Sequence, residues 1–363
     1  MDLTASTRTL SAAVSAAARL LPGKYGDPVL SGLLLSADAD GLTLAGNDRE
    51  RAVRVSAAAM VHTDGEALVP AAPLAETLRM LDDELVRVVV EGSRLALRVE
   101  GGRFALPLLS RELHPGAAVL PPQVAAVGGD TLARALRTVA GTAAKDDSLP
   151  MFTGVRVHGA DGELHLTSSD RYRMAVAKLP LRSGTATPLD ALIPAALLAE
   201  TARQASGVVG LHAEGGRFGL SWRDTMVGTA VLDGGFLSEQ SISTSTVDTT
   251  VDVAADALAA AVRRVGVYAD SHRVLTLEVG DAHLRLASAR QDTGEAEETL
   301  KAEVLGGRTS PSFQTRYLLD ALAPFAGERI RMSVQPGRRA CIIRACEPGE
   351  VDLTYYLMPM LTR

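Results

Sequence analysis

The spacing of hydrophobic and polar residues along this chain alternates between a helical and a strand-like pattern. Leu132, Ala135, Leu136 and Val139 recur at positions i, i+3, i+4 and i+7, which predicts an amphipathic helix with one buried face. Other segments alternate with a period of two and are separated by turn-forming pairs such as Asp40-Gly41 and Asp161-Gly162, which indicates hairpins. The pattern therefore predicts an α+β protein.

The same succession of elements recurs three times. The segment LVPAAPLAETLRML from Leu68 resembles LIPAALLAETARQA from Leu192, and a weaker copy, SFQTRYLLDALAPF, begins at Ser312. Each copy follows a longer helical pattern, so each repeat contains two units of one helix plus strands. This organisation predicts three domains of similar size, at residues 1–122, 123–246 and 247–363.

Composition narrows the class of protein. A net charge of -6 argues against binding nucleic acid or anionic lipid through bulk charge. Cys341 and Cys346 fall on opposite faces of an alternating segment, so we expect no disulfide and a reducing cytoplasm. No apolar run is long enough to span a membrane. The N-terminus has the Ser-, Ala- and Arg-rich composition of a transit peptide, but the repetition of its helical pattern disfavours that reading.

Arginines recur on the helices, away from the buried face. Arg134 and Arg137 lie off the hydrophobic stripe, and Arg8 and Arg19, eleven residues apart, fall within about 20° of one another around a helix. Such residues are usually part of a solvated helix face. Their recurrence in all three repeats of an acidic protein equally favours a shared basic surface, and both interpretations remain open at this point.

The sequence contains no recognisable catalytic constellation. It lacks a G-x-S-x-G, an H-E-x-x-H, a dinucleotide fingerprint and a P-loop. His158 and His165 stand apart from any cluster of cysteines or carboxylates. We therefore expect no catalytic residue, no metal and no cofactor. An enzyme assembled from distant positions on a repeat scaffold is the alternative class.

The chain ends in an unusual apolar segment, DLTYYLMPMLTR. Termini are ordinarily solvated, so these side chains are expected either to pack into a core or to form a binding surface. Pro359 cannot donate to a strand ladder, which confines this part of the segment to a sheet edge or to the end of a strand.

Three segments resemble the beta sliding clamp of bacterial DNA polymerase III. They are LPMFTGVRV, LTSSDRYRMAVAKLPL at residues 166–181, and the YYLMPM ending, and they accompany a resemblance in length and repeats over the whole chain. The resemblance implies the DNA clamp fold, an α+β ring in which helices line the hole and sheets lie outside. It further implies a homodimer, closed head to tail around duplex DNA, that tethers the polymerase III alpha subunit, the clamp loader and other clamp-binding-motif proteins.

The ring reconciles an acidic chain with basic helices. Twelve helices ~10 Å apart lie on a circle with a circumference of ~120 Å and a diameter of ~38 Å, which leaves room for duplex DNA. Basic side chains on its wall would meet phosphates without reading bases. The expected DNA-facing residues are Arg8, Arg19, Lys24, Arg79, Arg134, Arg137, Lys145, Arg203, Arg263, Arg264 and Arg316.

The resemblance also implies a role for the apolar ending. In clamps it forms one wall of a pocket, between the second and third domains, that receives short linear peptides. The residues expected there are Phe152, Ser169, Arg171, Tyr172, Arg173, Met174, Leu237, Ser241, Ile242, His272, Tyr356, Leu357, Met358, Pro359 and Met360. The expected dimer contact places Phe104 and Leu106 of the first domain against the region of Val267 in the third.

Several pocket positions depart from the family pattern. Phe152 stands where a smaller aliphatic residue is commoner, Leu237 where a proline is usual, and Ser241 where a basic residue is usual. Ala195 and Ala196 also replace a basic residue. These departures leave two alternatives: an ordinary replicative clamp, or a specialised second clamp that tolerates a pocket-binding inhibitor or serves repair.

Overall fold

The computed structural model describes residues 1–21, 27–117, 119–146, 149–184, 189–236, 247–269, 273–290, 294–336, 339–347 and 349–360. Within these ranges longer and shorter helices alternate along the chain, as the doubled repeat predicts. The helices are α1 Thr7–Leu20, α2 Ala71–Arg79, α3 Gly129–Thr142, α4 Ala195–Gln204, α5 Ala255–Val265 and α6 Thr315–Leu322.

Strands occupy most of the remaining described chain. In the first third they are β1 Asp2–Ser6, β2 Gly32–Asp38, β3 Gly41–Asn47, β4 Arg51–Ala57, β5 Met60–Thr63, β6 Gly65–Pro70, β7 Leu85–Glu91, β8 Arg94–Val99 and β9 Gly102–Pro107. In the middle they are β10 Gln123–Gly128, β11 Gly154–Ala160, β12 Glu163–Ser169, β13 Arg173–Gly184, β14 Leu189–Pro194, β15 Val208–Glu214, β16 Arg217–Trp222 and β17 Thr225–Ala230. In the last third they are β18 Thr249–Ala254, β19 Val274–Val279, β20 His283–Arg290, β21 Gly294–Lys301, β22 Glu303–Gly306, β23 Ser312–Gln314, β24 Arg329–Val334, β25 Cys341–Ala345 and β26 Asp352–Leu357.

The chain divides into two compact units whose boundaries differ from those of the three sequence repeats. Unit 1 comprises Met1–Ala133 and Leu181–Val231, and unit 2 comprises Arg134–Pro180 and Leu232–Arg363. The middle repeat therefore contributes chain to both units.

Unit 1 contains two antiparallel sheets. A five-stranded sheet has the order β5-β1-β7-β8-β9. A longer ladder runs β6-β2-β3-β4-β17-β16-β15-β10 and ends on the last residues of β13. In this ladder β4 of the first repeat pairs with β17 of the middle repeat, with Val55 opposite Thr225. The two repeats thus share one sheet.

Helix α1 packs on β3 and β4 of that ladder. Leu10, Val14 and Ala17, spaced at i, i+4 and i+7, are each no more than 1% exposed. Burying a leucine or valine side chain contributes about 1.5–3 kcal/mol, so this stripe anchors the helix. The opposite side of α1 remains free to carry polar residues.

Unit 2 is built around a second ladder. The strand order is β11-β12-β13-β26-β25-β24-β18-β22, and a separate four-stranded sheet has the order β21-β20-β19-β23. The C-terminal strand β26 lies inside the ladder, with Leu357 opposite both Arg173 of β13 and Cys341 of β25. Tyr355 is 1% exposed. Much of the apolar ending is therefore core, and β26 stops before Pro359, as the proline predicts.

Two further expectations from the sequence, on helix α3 and on the cysteines, can be compared with this fold. The predicted stripe Leu132, Ala135, Leu136 and Val139 of α3 is buried throughout. Cys341 and Cys346 are unpaired, and burial raises the pKa of Cys341 to about 12. In the described ranges no helix is long and apolar enough to cross a membrane, and no cluster of His, Cys, Asp and Glu is arranged to hold a metal ion.

Candidate functional site

A tightly bonded loop joins β12 to β13 in unit 2. The Ser169 hydroxyl donates to the Arg173 carbonyl at 2.9 Å and accepts from the Arg171 amide at 3.1 Å. Asp170 Oδ1 accepts from the amides of Tyr172 and Arg173 at 3.1 and 3.0 Å. Arg171 adopts a φ of 80°, a left-handed conformation that a non-glycine residue holds only when its surroundings impose it. The loop therefore presents Arg171 and Tyr172 in one fixed arrangement.

The residues that follow β26 are bonded to this loop and to β23. The Met358 amide donates to the Tyr172 carbonyl at 2.9 Å, and the Met360 amide donates to the Ser312 carbonyl at 2.7 Å. Tyr172 is 50% exposed, Met358 39% and Met360 36%. Tyr172, Met358, Pro359 and Met360 together form a partly exposed apolar strip, which we call the tail surface. Among the described residues of the expected pocket, these four and Arg171 are the ones that solvent reaches.

Four other residues expected in the pocket are buried. Phe152, Met174, Tyr356 and Leu357 are each no more than 8% exposed. Met174 and Tyr356 pack together in a buried cluster with Val176, Ala340 and Ile342. Leu237, Ser241, Ile242 and His272 lie outside the described residues.

Tyr317 of α6 adds an aromatic side chain that the sequence did not suggest. Its ring stacks on Tyr172, with centroids 6.0 Å apart and planes 20° apart. The Arg171 guanidinium lies 5.9 Å from the Tyr172 ring, and the Arg173 guanidinium lies 4.8 Å from the Tyr317 ring. Both distances are within the range of a cation–π contact. The only available signal for Tyr317 was its position off the buried stripe of α6.

Arg173, expected in the pocket, is a buried side chain with several hydrogen-bond partners. Its side chain is 6% exposed and donates to Asp170 at 2.9 Å and to Asp320 of α6 at 2.6 Å. It also donates to the Tyr355 hydroxyl at 3.3 Å and to the Gly141 carbonyl at 3.5 Å. Burial opposes the charge, but Tyr355, Asp170 and Asp320 more than offset it and raise the pKa of the guanidinium. Arg173 thereby ties the end of α3, strand β26 and helix α6 to the loop.

The expected DNA-facing side chains are all exposed where the structure describes them, and Lys24 lies outside the described residues. Several are paired with carboxylates. Arg19 and Arg203 contact the two oxygens of the buried Glu200 at 3.2 and 2.7 Å, and Arg264 contacts Glu298 at 2.5 Å. Looser pairs, at 4.0 Å, join Arg134 to Glu350 and Arg316 to Asp320.

The remaining basic side chains have no ion pair among the described residues. They are Arg8, Arg79, Arg137, Lys145 and Arg263. Arg8 and Arg79 line one cavity in unit 1, whereas Arg134, Arg137, Lys145 and Arg316 line another in unit 2. Six of the predicted basic residues thus fall into two groups, one in each unit.

The residues expected at the dimer contact lie on exposed elements. Strand β9 is an edge of the five-stranded sheet, and Phe104 on it is 43% exposed while Leu106 is half-buried. Val267 is 72% exposed in the short 3-10 turn Gly266–Tyr268. Strand β21, one edge of the four-stranded sheet in unit 2, pairs only with β20 among the described strands.

Comparison with known proteins gives consistent matches over almost the whole chain. Models of the N-terminal, central and C-terminal domains of the DNA polymerase III beta subunit match residues 1–118, 126–237 and 245–361. The beta sliding clamp of Streptomyces coelicolor is 28% identical over 373 residues, covering 100% of this chain and 99% of the relative. That of Micrococcus luteus is 31% identical over 318 residues, covering 83% and 98%. A Streptomyces muensis protein described as beta sliding clamp homolog GriR is 28% identical over 343 residues, covering 92% of each.

Solved structures share the fold at lower identity. The Bacillus subtilis DNA polymerase sliding clamp superposes with a TM-score of 0.92 at 20% identity, and a Pseudomonas aeruginosa sliding clamp bound to griselimycin gives 0.91 at 22% identity; both comparisons cover 100% of each chain. The architecture, the order of the three domain matches and the identity to curated relatives agree. The chain belongs to the family of DNA polymerase III beta subunits, the beta sliding clamps.

Proposed function

We propose that this protein is a non-catalytic sliding clamp that encircles duplex DNA as a homodimer and tethers DNA polymerase III for processive synthesis. The observation that carries the proposal is the succession of three beta-subunit domain matches along the whole chain. The exposed basic side chains on the helices of an acidic protein support it. The cytoplasm is the compartment in which such a protein would work.

We further propose that the functional domains are residues 1–122, 123–246 and 247–363. Each range contains one pair of α-helices. The longer helix, α1, α3 or α5, comes first, and the shorter helix, α2, α4 or α6, follows it. In this scheme the central domain supplies strands to both compact units.

The proposed DNA contact is electrostatic and independent of sequence. Arginine and lysine side chains would meet phosphates, which position a protein on DNA without reading its bases. The ion pairs made by Arg19, Arg203 and Arg264 reduce the net attraction, and so does the overall charge of -6. Lys24 is included in this surface by family resemblance.

Retention on DNA is therefore expected to depend on topology. After incubation with the cognate clamp loader, the protein should stay on nicked circular DNA and leave that DNA once it is cut to a linear form. Binding to a short linear duplex should be weak and should fall steeply with salt. The measurement is gel filtration of the loaded complex before and after restriction cleavage. Tight, sequence-selective binding to the short duplex would contradict the proposal.

The proposed ring closes by contact between the first domain of one copy and the third domain of the other. Such head-to-tail contacts use different patches on the two copies and close only when the rotation between copies permits it. The open strand β9 with Phe104 and Leu106, and the exposed turn at Val267, are the surfaces that we assign to this contact.

Replacing Phe104 with arginine is expected to convert the dimer to a monomer at micromolar concentration. The substitution places an unpaired charge at an apolar contact, and such burial is costly. Sedimentation velocity measures the outcome. The matched control is Met60→Arg on β5, the opposite edge of the same sheet, where a side chain that is 68% exposed should tolerate the change. A wild-type monomer, or equal dissociation of both variants, would contradict the assignment.

For partner proteins we propose docking of short linear peptides on the tail surface. Tyr172, Met358, Pro359 and Met360 offer apolar area next to the stacked Tyr317. The candidate partners are the polymerase III alpha subunit, the clamp loader and other proteins with a clamp-binding motif. Buried Phe152, Met174, Tyr356 and Leu357 would support this surface from below, and Ser169, Arg171 and Arg173 would fix its loop.

A specialised clamp, with reduced sensitivity to a pocket-binding inhibitor or a role in repair, is the second candidate function. Phe152, Leu237 and Ser241 favour it because they change the size and charge of the expected pocket. This chain resembles the Streptomyces muensis beta sliding clamp homolog GriR and a Pseudomonas aeruginosa sliding clamp bound to griselimycin. Both likenesses agree with the proposal of a specialised clamp. Peptide titration, described in the Discussion, tests it.

A further inference from the structure

A cavity of about 530 Å³ in unit 2 brings together basic residues that the sequence assigned to two different sites. Arg134 and Arg137 enter it from α3, Lys145 from the segment after α3, Arg316 from α6 and Arg173 from β13. The volume lies within the range of about 300–1,000 Å³ that is usual for small-molecule sites. The cavity is therefore large enough to hold a discrete ligand.

The charge of this cavity is strongly one-sided. Among its described lining residues are five cationic side chains and a single carboxylate, Asp320. Asp320 already accepts a hydrogen bond from Arg173 at 2.6 Å and lies 4.0 Å from Arg316. Arg137 and Lys145 have no ion pair within the described residues. Arg134 lies 4.0 Å from Glu350, and Arg173 also pairs with Asp170, so Arg137 and Lys145 supply the positive charge that no described carboxylate offsets.

A ligand that fits this space must be compact and carry several negative charges. Arginine guanidinium groups match phosphate oxygens in geometry, and lysine adds a mobile point charge. Duplex DNA spreads one charge per phosphate at ~3.4 Å intervals along each strand, on a rod too wide to enter a small cavity. Linked phosphates concentrate the charge instead. We propose that this cavity binds a compact polyphosphate, either inorganic pyrophosphate or the polyphosphate group of a nucleotide.

The Arg173 guanidinium is a fixed cationic donor at the wall of this cavity. Its contacts to Asp170, Tyr355 and Gly141 hold the guanidinium in place before any ligand arrives. The more exposed Arg137 and Lys145 can then close around the ligand from the rim. Preorganised donors bind at a lower entropic cost than mobile ones.

The cavity in unit 1 provides an internal comparison. It measures about 650 Å³ and contains Arg8 and Arg79, but Asp82, Asp83 and Glu84 also line it. Its carboxylates outnumber its cations, so a polyanion should be repelled or bound weakly. The two cavities are of comparable size and differ in charge, which separates a specific site from general attraction to arginines.

The test is isothermal titration of the full-length protein with inorganic pyrophosphate at low ionic strength. The double variant Arg137→Gln, Lys145→Gln should bind pyrophosphate at least about tenfold more weakly, because each lost charge-assisted hydrogen bond reduces affinity by about that factor or more. The control Arg8→Gln, Arg79→Gln should bind as the wild type does. Melting temperatures without ligand establish that both variants are folded.

Three results would overturn the proposal: no heat of pyrophosphate binding at low salt, equal affinity for orthophosphate and pyrophosphate, or equal loss in the control variant. A parallel titration with a nucleoside triphosphate identifies the source of the ligand. If the nucleoside triphosphate binds more tightly than pyrophosphate, the ligand is a nucleotide. If the two bind equally, the ligand is the inorganic anion. No DNA is present in these titrations, so their outcome is independent of the proposed clamp function.

Discussion

Replacing Arg173 with alanine is expected to lower the free energy of unfolding by about 3–5 kcal/mol. The side chain is 6% exposed and bonds to Asp170, Asp320, Tyr355 and Gly141. Its removal leaves the Asp170 carboxylate, 11% exposed, without its main partner and opens a void beside Tyr355. A buried ion pair that loses one member is costly because the remaining charge stays desolvated.

Urea denaturation followed by circular dichroism measures this loss. The matched control is Arg171→Ala, two residues earlier in the same loop, where an exposed arginine lies 5.9 Å from the Tyr172 ring and has no ion pair among the described residues. That change should cost about 0.5 kcal/mol or less, as surface substitutions usually do. Equal stability of the two variants would mean that the Arg173 contacts contribute little to folding. Weaker peptide binding by the Arg173 variant alone would support its positioning role at the tail surface.

The triple variant Phe152→Leu, Leu237→Pro, Ser241→Arg is expected to bind a consensus clamp-binding peptide about tenfold to a hundredfold more tightly than the wild type. An arginine at position 241 would supply charge-assisted hydrogen bonds worth about 1.5–3 kcal/mol if the contact is buried. A proline at position 237 would restrict the backbone there and reduce the conformational entropy lost on binding. Leucine at position 152 would return volume to the pocket.

Phe152 itself is 8% exposed, and its carbonyl accepts a hydrogen bond from the Ala144 amide at 2.8 Å. The substitution leaves that backbone bond in place but removes buried volume, so the stability of the single Phe152→Leu variant should be measured alongside. Fluorescence anisotropy with a labelled peptide gives the affinities. If the wild type binds as tightly as the triple variant, the departures are neutral and the specialised-clamp interpretation should be abandoned.

The sequence predicted those features that depend on neighbouring residues. The buried stripe of α3 could be identified because helical periodicity repeats within a dozen residues. Pro359 marked the end of a strand because a proline lacks the amide that a ladder needs. The three repeats could be recognised because their short segments keep similar residues in the same order.

Features that depend on distant residues could not be predicted in this way. The burial of Arg173 could not be foreseen, because its partners Asp320 and Tyr355 lie 147 and 182 residues away along the chain. Glu200 similarly neutralises Arg19 from a different repeat. Tyr317 gained significance only when folding placed its ring on Tyr172. Periodicity indicates which face of a helix or strand is buried. It does not identify the charged or aromatic side chain, from a distant part of the chain, that contacts that face.

The pairing of β26 with β13 has a consequence for how this chain can be dissected. A fragment made to match only the C-terminal beta-subunit domain, residues 245–361, would keep β25 beside β26 but lose β13 from its other edge. The row of backbone groups from Asp352 to Leu357 would then stand open, and exposed edges of this kind promote aggregation. The boundaries of the beta-subunit domains follow the sequence repeats, whereas the boundary between the two compact units falls inside β13. A fragment cut at a repeat boundary is therefore not expected to fold as an independent domain.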